Sequence, residues 1–204
     1  MKILNNKQNS EEWFEDRLGK ITGSKLRNII VKRGNKRKMG FYELIAERLS
    51  IPDDYDNAME RGHSLEEGAI KMFEKQEGED VEHVGLCVSD TDEHITLSPD
   101  GLIKKDGKYK EAVEVKCLSS ANHLRAYIEQ KPPSEYEEQF IQYFIVNEDL
   151  EKLNIVFYDP RVNCLPYHRL LIFRSDIEDK IKEYREYQEK TLDEIEEIIT
   201  NLTF

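Results

Sequence analysis

The chain has 204 residues, 35% charged and 38% hydrophobic, which suits one domain with a sizeable core and excludes a disordered protein. Its net charge of −12 taken alone argues against a nucleic-acid partner, but residues 1–50 carry 12 basic and 6 acidic side chains, so a +6 N-terminal part precedes a −18 remainder and can hold a phosphate backbone locally. No apolar run is long enough to span a membrane, and the first residues lack the apolar segment of a secretory signal, so a cytoplasmic protein is expected.

Cys87, Cys117 and Cys164 are scattered and odd in number, which argues against a zinc ribbon, excludes a four-cysteine cluster and leaves free thiols. Ser10 is placed to cap a helix from Glu11 to Leu18, closed by Gly19, and Thr22-Gly23-Ser24 opens a second helix to about Val31. A loop with five basic residues, 32–38, leads to a helix from Met39 to Leu49 that Pro52 ends. Asp56 can cap a long helix to about Gln76, although Gly62 and Gly68 weaken it.

The period then changes. Val81 to Val88 and Ile95 to Leu97 read as strands, Asp106-Gly107 as a tight hairpin turn, and Ala112 to Leu118 as a strand. Helices are expected over Ala121–Gln130 and Ser134–Asn147, parted by Pro132-Pro133. Strands are expected over Leu153–Tyr158 and Pro166–Phe173. Ile177, Ile181, Tyr184, Leu192, Ile195 and Ile199 recur at helical spacing and predict a C-terminal helix at about 175–202. The expectation is a single α/β (α+β) domain over 1–204, with a central sheet flanked by helices.

The chemistry concentrates in Ser98-Pro99-Asp100-Gly101 followed by Glu114-Val115-Lys116. On a strand Glu114 and Lys116 share one face, and Val113, Val115 and Cys117 share the other, toward a core. A Glu and a Lys amid apolar residues are costly unless that face meets solvent, a partner or a metal. If the hairpin returns the chain beside Asp100, the two carboxylates converge and repel, and a hard cation bound by oxygen relieves the repulsion. The Val115 carbonyl can add a ligand, and Lys116 would then sit near an attacking water or the phosphate. The bland alternative is an ordinary turn and a solvated strand face.

Further segments extend the pattern. SPDG and EVK resemble the PD-(D/E)xK nuclease signature. With Trp13 to Ser24, Gly62 to Glu66, Tyr136 to Gln139 and Tyr158 to Arg161 in order, the chain resembles the phage lambda exonuclease and YqaJ-like viral recombinase family. The resemblance implies a restriction-endonuclease-like core with a central mixed sheet. It implies a 5′→3′ exonuclease on linear double-stranded DNA that leaves 3′ overhangs for recombination by strand annealing. Mg2+ is the implied cofactor, with Mn2+ able to substitute. The implied partners are DNA ends, a homotrimeric ring and a single-strand annealing recombinase, in a bacterial host cytoplasm if the gene is phage-borne.

By the same resemblance Asp100, Glu114 and the Val115 carbonyl are metal ligands and Lys116 is the catalytic lysine. Glu66 positions metal or water, Gln139 lies beside the site, and Arg17, Ser24 and Ser98 grip a terminal 5′-phosphate. Glu67 and Gln142 are close alternatives; spacing from Gly62 favours Glu66, and spacing from Tyr136 favours Gln139. Gln139, Gln142, Tyr136 and Tyr143 share one helix face. Arg161 reads as a contact to DNA, to a partner subunit or to Asp159. Other function classes stay in view: a silent module that binds DNA ends or a recombinase, and a RecB-like endonuclease or repair nuclease.

Overall fold

Alternation and helical spacing resolve into a three-layer arrangement. The structure, a computed structural model, describes residues 28, 36–49, 58–92 and 94–203. Apart from Asn28, the expected helices before residue 32, with Trp13, Arg17 and Ser24, lie outside the described residues, as do Asp56 and residues 32–35 of the basic run.

Helix α1 is Met39–Leu49 and α2 is Ala58–Glu77, unbroken through its glycines. A two-stranded ribbon follows, β1 (Cys87–Val88) with β2 (Thr96–Leu97). Strands β3 (Gly101–Lys105) and β4 (Lys108–Lys116) form a hairpin. Its turn residues Asp106 and Gly107 both have positive φ, 53° and 82°, the conformation that Asp-Gly supplies at least strain. Because this tight turn leads straight into pairing, β4 begins four residues before the expected Ala112.

Helix α3 (Ser120–Glu129) starts where the Ser119 hydroxyl accepts from Asn122 N–H, and α4 (Glu137–Val146) follows a single 3-10 turn, Ser134–Tyr136. Strands β5 (Lys152–Tyr158) and β6 (Tyr167–Phe173) complete the sheet, and α5 (Glu178–Thr203) ends the chain after a second 3-10 turn.

The sheet order is β3-β4-β5-β6; β4 and β5 are parallel and the other pairs antiparallel, so the sheet is mixed, as expected. The α3–α4 segment is the crossover that a parallel pair needs. On one face Ala69, Ile70 and Phe73 of α2 pack on Val113, Val115 and Val156. On the other, Phe140 and Phe144 of α4 pack with Ala112, Leu153, Ile155 and Phe157. Each such large side chain contributes about 1.5–3 kcal/mol on burial, and together they clamp β4 in the middle of the molecule.

The strand expected from Val81 to Val88 is corrected. It reduces to one bridge, Glu82 with Leu102, and the two residues of β1. Glu82, His83, Gly85 and Leu86 are exposed, while Val81, Val84 and Cys87 turn to the core, a contact too discontinuous to hold an extended strand. Val81 still runs close against β3: a Cβ on Gly101 would lie 2.2 Å from its Cγ1.

Candidate active site

Both faces of β4 are covered, and this decides where its charges go. Val113 and Val115 face α2, while Glu114, only 2% exposed, faces α4. The Glu/Lys face therefore does not open directly to solvent; α4 covers it with polar side chains at its first turns. Gln139 and Tyr143, four residues apart, meet Glu114 from one helix face.

Glu114 Oε1 accepts from Lys116 Nζ at 2.5 Å and from Gln139 Nε2 at 2.7 Å. Its Oε2 accepts from the Tyr143 hydroxyl. Lys116 Nζ also donates to Gln139 Oε1 at 2.9 Å and lies 4.3 Å from the centre of the Tyr136 ring. Lys116, Gln139 and Glu114 thus close a triangle of hydrogen bonds, with Tyr136 capping the ammonium. Burial, then the charge of Glu114, pushes the Tyr143 phenol pKa far up, so this hydroxyl remains a donor.

Asp100 enters from the start of β3. The β3–β4 ladder ends at Gly101 opposite Val113, and continuing the register would set Pro99 opposite Val115. Proline has no N–H, and here the Asp100 side chain replaces the missing strand: its Oδ2 accepts from Val115 N–H at 2.7 Å. The N–H and C=O of a strand residue point to the same edge, so the Val115 carbonyl lies on the edge that β3 has vacated. Burial, then the charge of Glu114, raises the Asp100 pKa to about 7; the Val115 N–H works against this, Glu66 adds to the rise, and Lys116 lowers it.

Asp100, Glu114, Lys116, Gln139 and the Val115 backbone are therefore gathered at one end of the sheet, with Glu66 near enough for its charge to act on Asp100. Glu67 is exposed and pairs with Lys71 at 2.5 Å. Gln142 turns away, to Thr96 O at 3.2 Å and Gln188 at 2.8 Å. Ser98 is exposed, two residues before Asp100. A cleft of about 230 Å³ between Pro133, Phe140, Ile172 and Ile177 contains neither Asp100 nor Glu114, so this chemistry belongs to strand ends rather than to that cavity.

Two contributions were not read from the sequence as parts of a site. Tyr143 as the partner of Glu114 is one; its spacing from Gln139 is the signal for it. The other is a brace behind β4. Arg161 grips Asp159 with Nε at 2.7 Å and Nη2 at 2.8 Å, and Ser120 Oγ donates to Asp159 at 2.6 Å. Burial raises the Asp159 carboxyl, but the hydrogen bonds from Arg161 and Ser120 and the Arg161 charge outweigh it and hold the pKa below the ordinary range. The brace ties the turn after β5 to the chain just beyond Lys116.

The donor set fits a hard cation. Among the described residues no three His, Cys, Asp or Glu side chains are gathered closely enough to hold a metal ion. Two carboxylates and a carbonyl are nevertheless the kind of partial shell that magnesium, which keeps several waters, accepts. Asp100 is raised first by burial and then by the neighbouring Glu114 carboxylate, the crowding of acids that a bound cation relieves. Asp100, Glu114 and the Val115 carbonyl would hold the ion.

The profile of the YqaJ-like viral recombinase domain matches residues 12–148. Two solved structures, LHK-Exo in complex with dAMP and the alkaline exonuclease LHK-Exo from Laribacter hongkongensis, each share 28% identity with a TM-score of 0.56, covering 95% of this chain and 100% of theirs. A phage-related exonuclease from Haemophilus somnus 129PT shares 18% identity at a TM-score of 0.44, over 93% of this chain and 91% of its own. No curated protein matches the sequence. The fold is of the restriction-endonuclease-like type.

Proposed function

Because the chain belongs to the YqaJ-like viral recombinase family, we propose that it is a metal-dependent 5′→3′ exonuclease that hydrolyses one strand of linear double-stranded DNA and leaves 3′ overhangs for phage-type recombination by strand annealing. The observation that carries this reading is the convergence of Asp100 and Glu114 with Lys116 and Gln139 at one end of β4. The similar Laribacter protein is an alkaline exonuclease and has been seen with dAMP, a mononucleotide of the kind such a reaction releases.

Each residue has a role in this reading. Asp100, Glu114 and the Val115 carbonyl hold magnesium, with manganese as substitute. The bound ion supplies positive charge that acidifies a water and offsets charge on the phosphate. Lys116 orients the attacking water or stabilises charge on the phosphate, and Gln139 holds Lys116 and Glu114 in register. Glu66 adds a carboxylate near Asp100. Arg17, Ser24 and Ser98 bind the terminal 5′-phosphate, which suits the forked guanidinium of arginine. The same reading makes residues 1–204 a single nuclease domain. It includes a homotrimeric ring, whose basic N-terminal parts line a DNA channel while acidic surfaces face outward, and a single-strand annealing recombinase that receives the overhang.

The test is digestion of linear duplex DNA, with or without a 5′-phosphate, in magnesium, beside circular and nicked DNA. Loss of mononucleotides from 5′-phosphorylated ends, abolished by Lys116→Ala, is expected. Cleavage of circles would move the reading to an endonuclease. Tight end binding with no cleavage in magnesium or manganese would move it to a binding module.

A further inference from the structure

The three donors to Glu114 are unequal. Lys116 and Gln139 both reach Oε1 and are bonded to each other, and Gln139 is an exposed residue, so this side of the carboxylate is a clasp that can open toward solvent. Tyr143 is 1% exposed, fixed between α4 and the sheet, and gives its hydroxyl to Oε2, with Val113 O a further 3.5 Å contact.

Packing does not require that hydroxyl. The neighbouring α4 residues Phe140 and Phe144 fill the same layer with plain rings. A buried hydroxyl must find a partner, and one bonded to a carboxylate is among the stronger hydrogen bonds. The last torsion of a glutamate is broad and roughly two-fold. Without Tyr143 the carboxylate plane would be held only by the solvent-side clasp, and would turn when that clasp opens.

We infer that Tyr143 is a positioning residue: by bonding Oε2 from inside the apolar layer, it fixes the plane of the Glu114 carboxylate and so leaves Oε1, on the clasp side, as the oxygen offered to a divalent cation. This inference rests on the metal-dependent reading above.

The experiment measures Mn2+ binding to the DNA-free protein from the paramagnetic resonance signal of the free ion, for the wild type and Tyr143→Phe. The variant keeps the ring and should bind Mn2+ about 10–100-fold more weakly, the usual loss when a group that orients a metal ligand is removed. Gly107→Ala, which strains the positive-φ hairpin turn at the other end of β4, serves as the control for loss of stability alone and should bind Mn2+ like the wild type. Wild-type affinity in Tyr143→Phe would overturn the inference and leave the nuclease reading standing, and so would an equal loss in Gly107→Ala. A wild-type protein that binds no Mn2+ would overturn both. If Tyr143→Phe does not fold, 3-fluorotyrosine at position 143 keeps the hydroxyl but makes it a stronger donor; it should then alter Mn2+ affinity, and an unchanged value would refute the role.

Discussion

Replacing Lys116 with methionine tests whether its ammonium stands in for a cation at Glu114. The side chain is 12% exposed and its partner carboxylate 2%, so the pair sits in a medium where an uncompensated charge is costly. Removing one member of a buried ion pair costs about 3–5 kcal/mol. Gln139 and Tyr143 still donate to Glu114 after the substitution, which places the loss near the lower end, about 3 kcal/mol. For a domain of this size that corresponds to a fall of about 6–12 °C in Tm. The assay is thermal unfolding in a chelator and again in saturating magnesium, beside nuclease activity. In chelator Lys116→Met should melt well below the wild type. Magnesium should raise the Tm of the variant more than that of the wild type, because the ion supplies the charge the ammonium gave. In magnesium the activity of the variant should fall by about 10²–10³, as when a single group stabilising developing charge is lost, and in chelator neither protein should cut. Equal melting of the two proteins in chelator would refute the claim that Lys116 compensates Glu114.

Gln139→Ala and Gln142→Ala should separate site from scaffold: the first should lose about 10–100-fold in activity, while the second breaks bonds to Thr96 and Gln188, costs about 1 kcal/mol and leaves turnover nearly intact. Comparable activity losses in steady-state digestion would contradict the assignment. Asp159→Ala leaves the Arg161 guanidinium without its bidentate partner and should destabilise the protein by about 3 kcal/mol in urea titration; a loss under about 1 kcal/mol would show that the brace is dispensable.

The sequence shows elements most clearly where local chemistry and packing agree. Helix α1 has the expected limits, and the Asp106-Gly107 turn has the φ signs its residues prefer. It fails where two layers have to be known together. Val81 to Val88 is apolar enough for a strand, but pairing between Glu82 and Cys87 needs a neighbour that the described residues do not provide. At the site, the spacing of Asp100, Glu114 and Lys116 marks the strand residues that converge. What spacing along β4 cannot reveal is which helix covers them. The Glu/Lys face reads as one that must meet solvent, a partner or a metal, whereas α4 brings Gln139 and Tyr143 onto it and buries Glu114. The choice between Gln139 and Gln142 depends likewise on the rotation of α4 about its axis, which the packing of Phe140, Ile141, Phe144 and Ile145 fixes.

A second buried cluster, away from the carboxylates, should govern the acid stability of the protein. His123 and His168 meet edge to face at 4.6 Å between centroids, and His168 stacks on Phe157. His123 Nε2 donates to Leu165 O at 2.9 Å and His168 Nε2 to His123 O at 3.0 Å, which assigns the neutral tautomers. Both Nδ1 atoms are buried without a partner, so a proton added there would be a charge with no acceptor. Burial, then the charge of His123, lowers the His168 pKa to about 4; burial lowers that of His123 too. The unfolded chain takes up protons first, so stability is intact above pH 6.5 and falls as the pH drops toward 4. For His168 alone the loss is about 3 kcal/mol. Asp100 acts in the opposite sense: its raised pKa means that in the metal-free protein the folded state binds the proton more tightly, and stability rises as pH falls through about 7. The two effects overlap, so the wild-type curve alone conceals each of them. The difference between wild type and His168→Leu, measured by urea titration across this range in chelator, cancels the Asp100 contribution. The variant should lose less stability on acidification, by up to about 3 kcal/mol at pH 4. Parallel curves for the two proteins would mean that His168 takes up its proton in the folded state as readily as in the unfolded one.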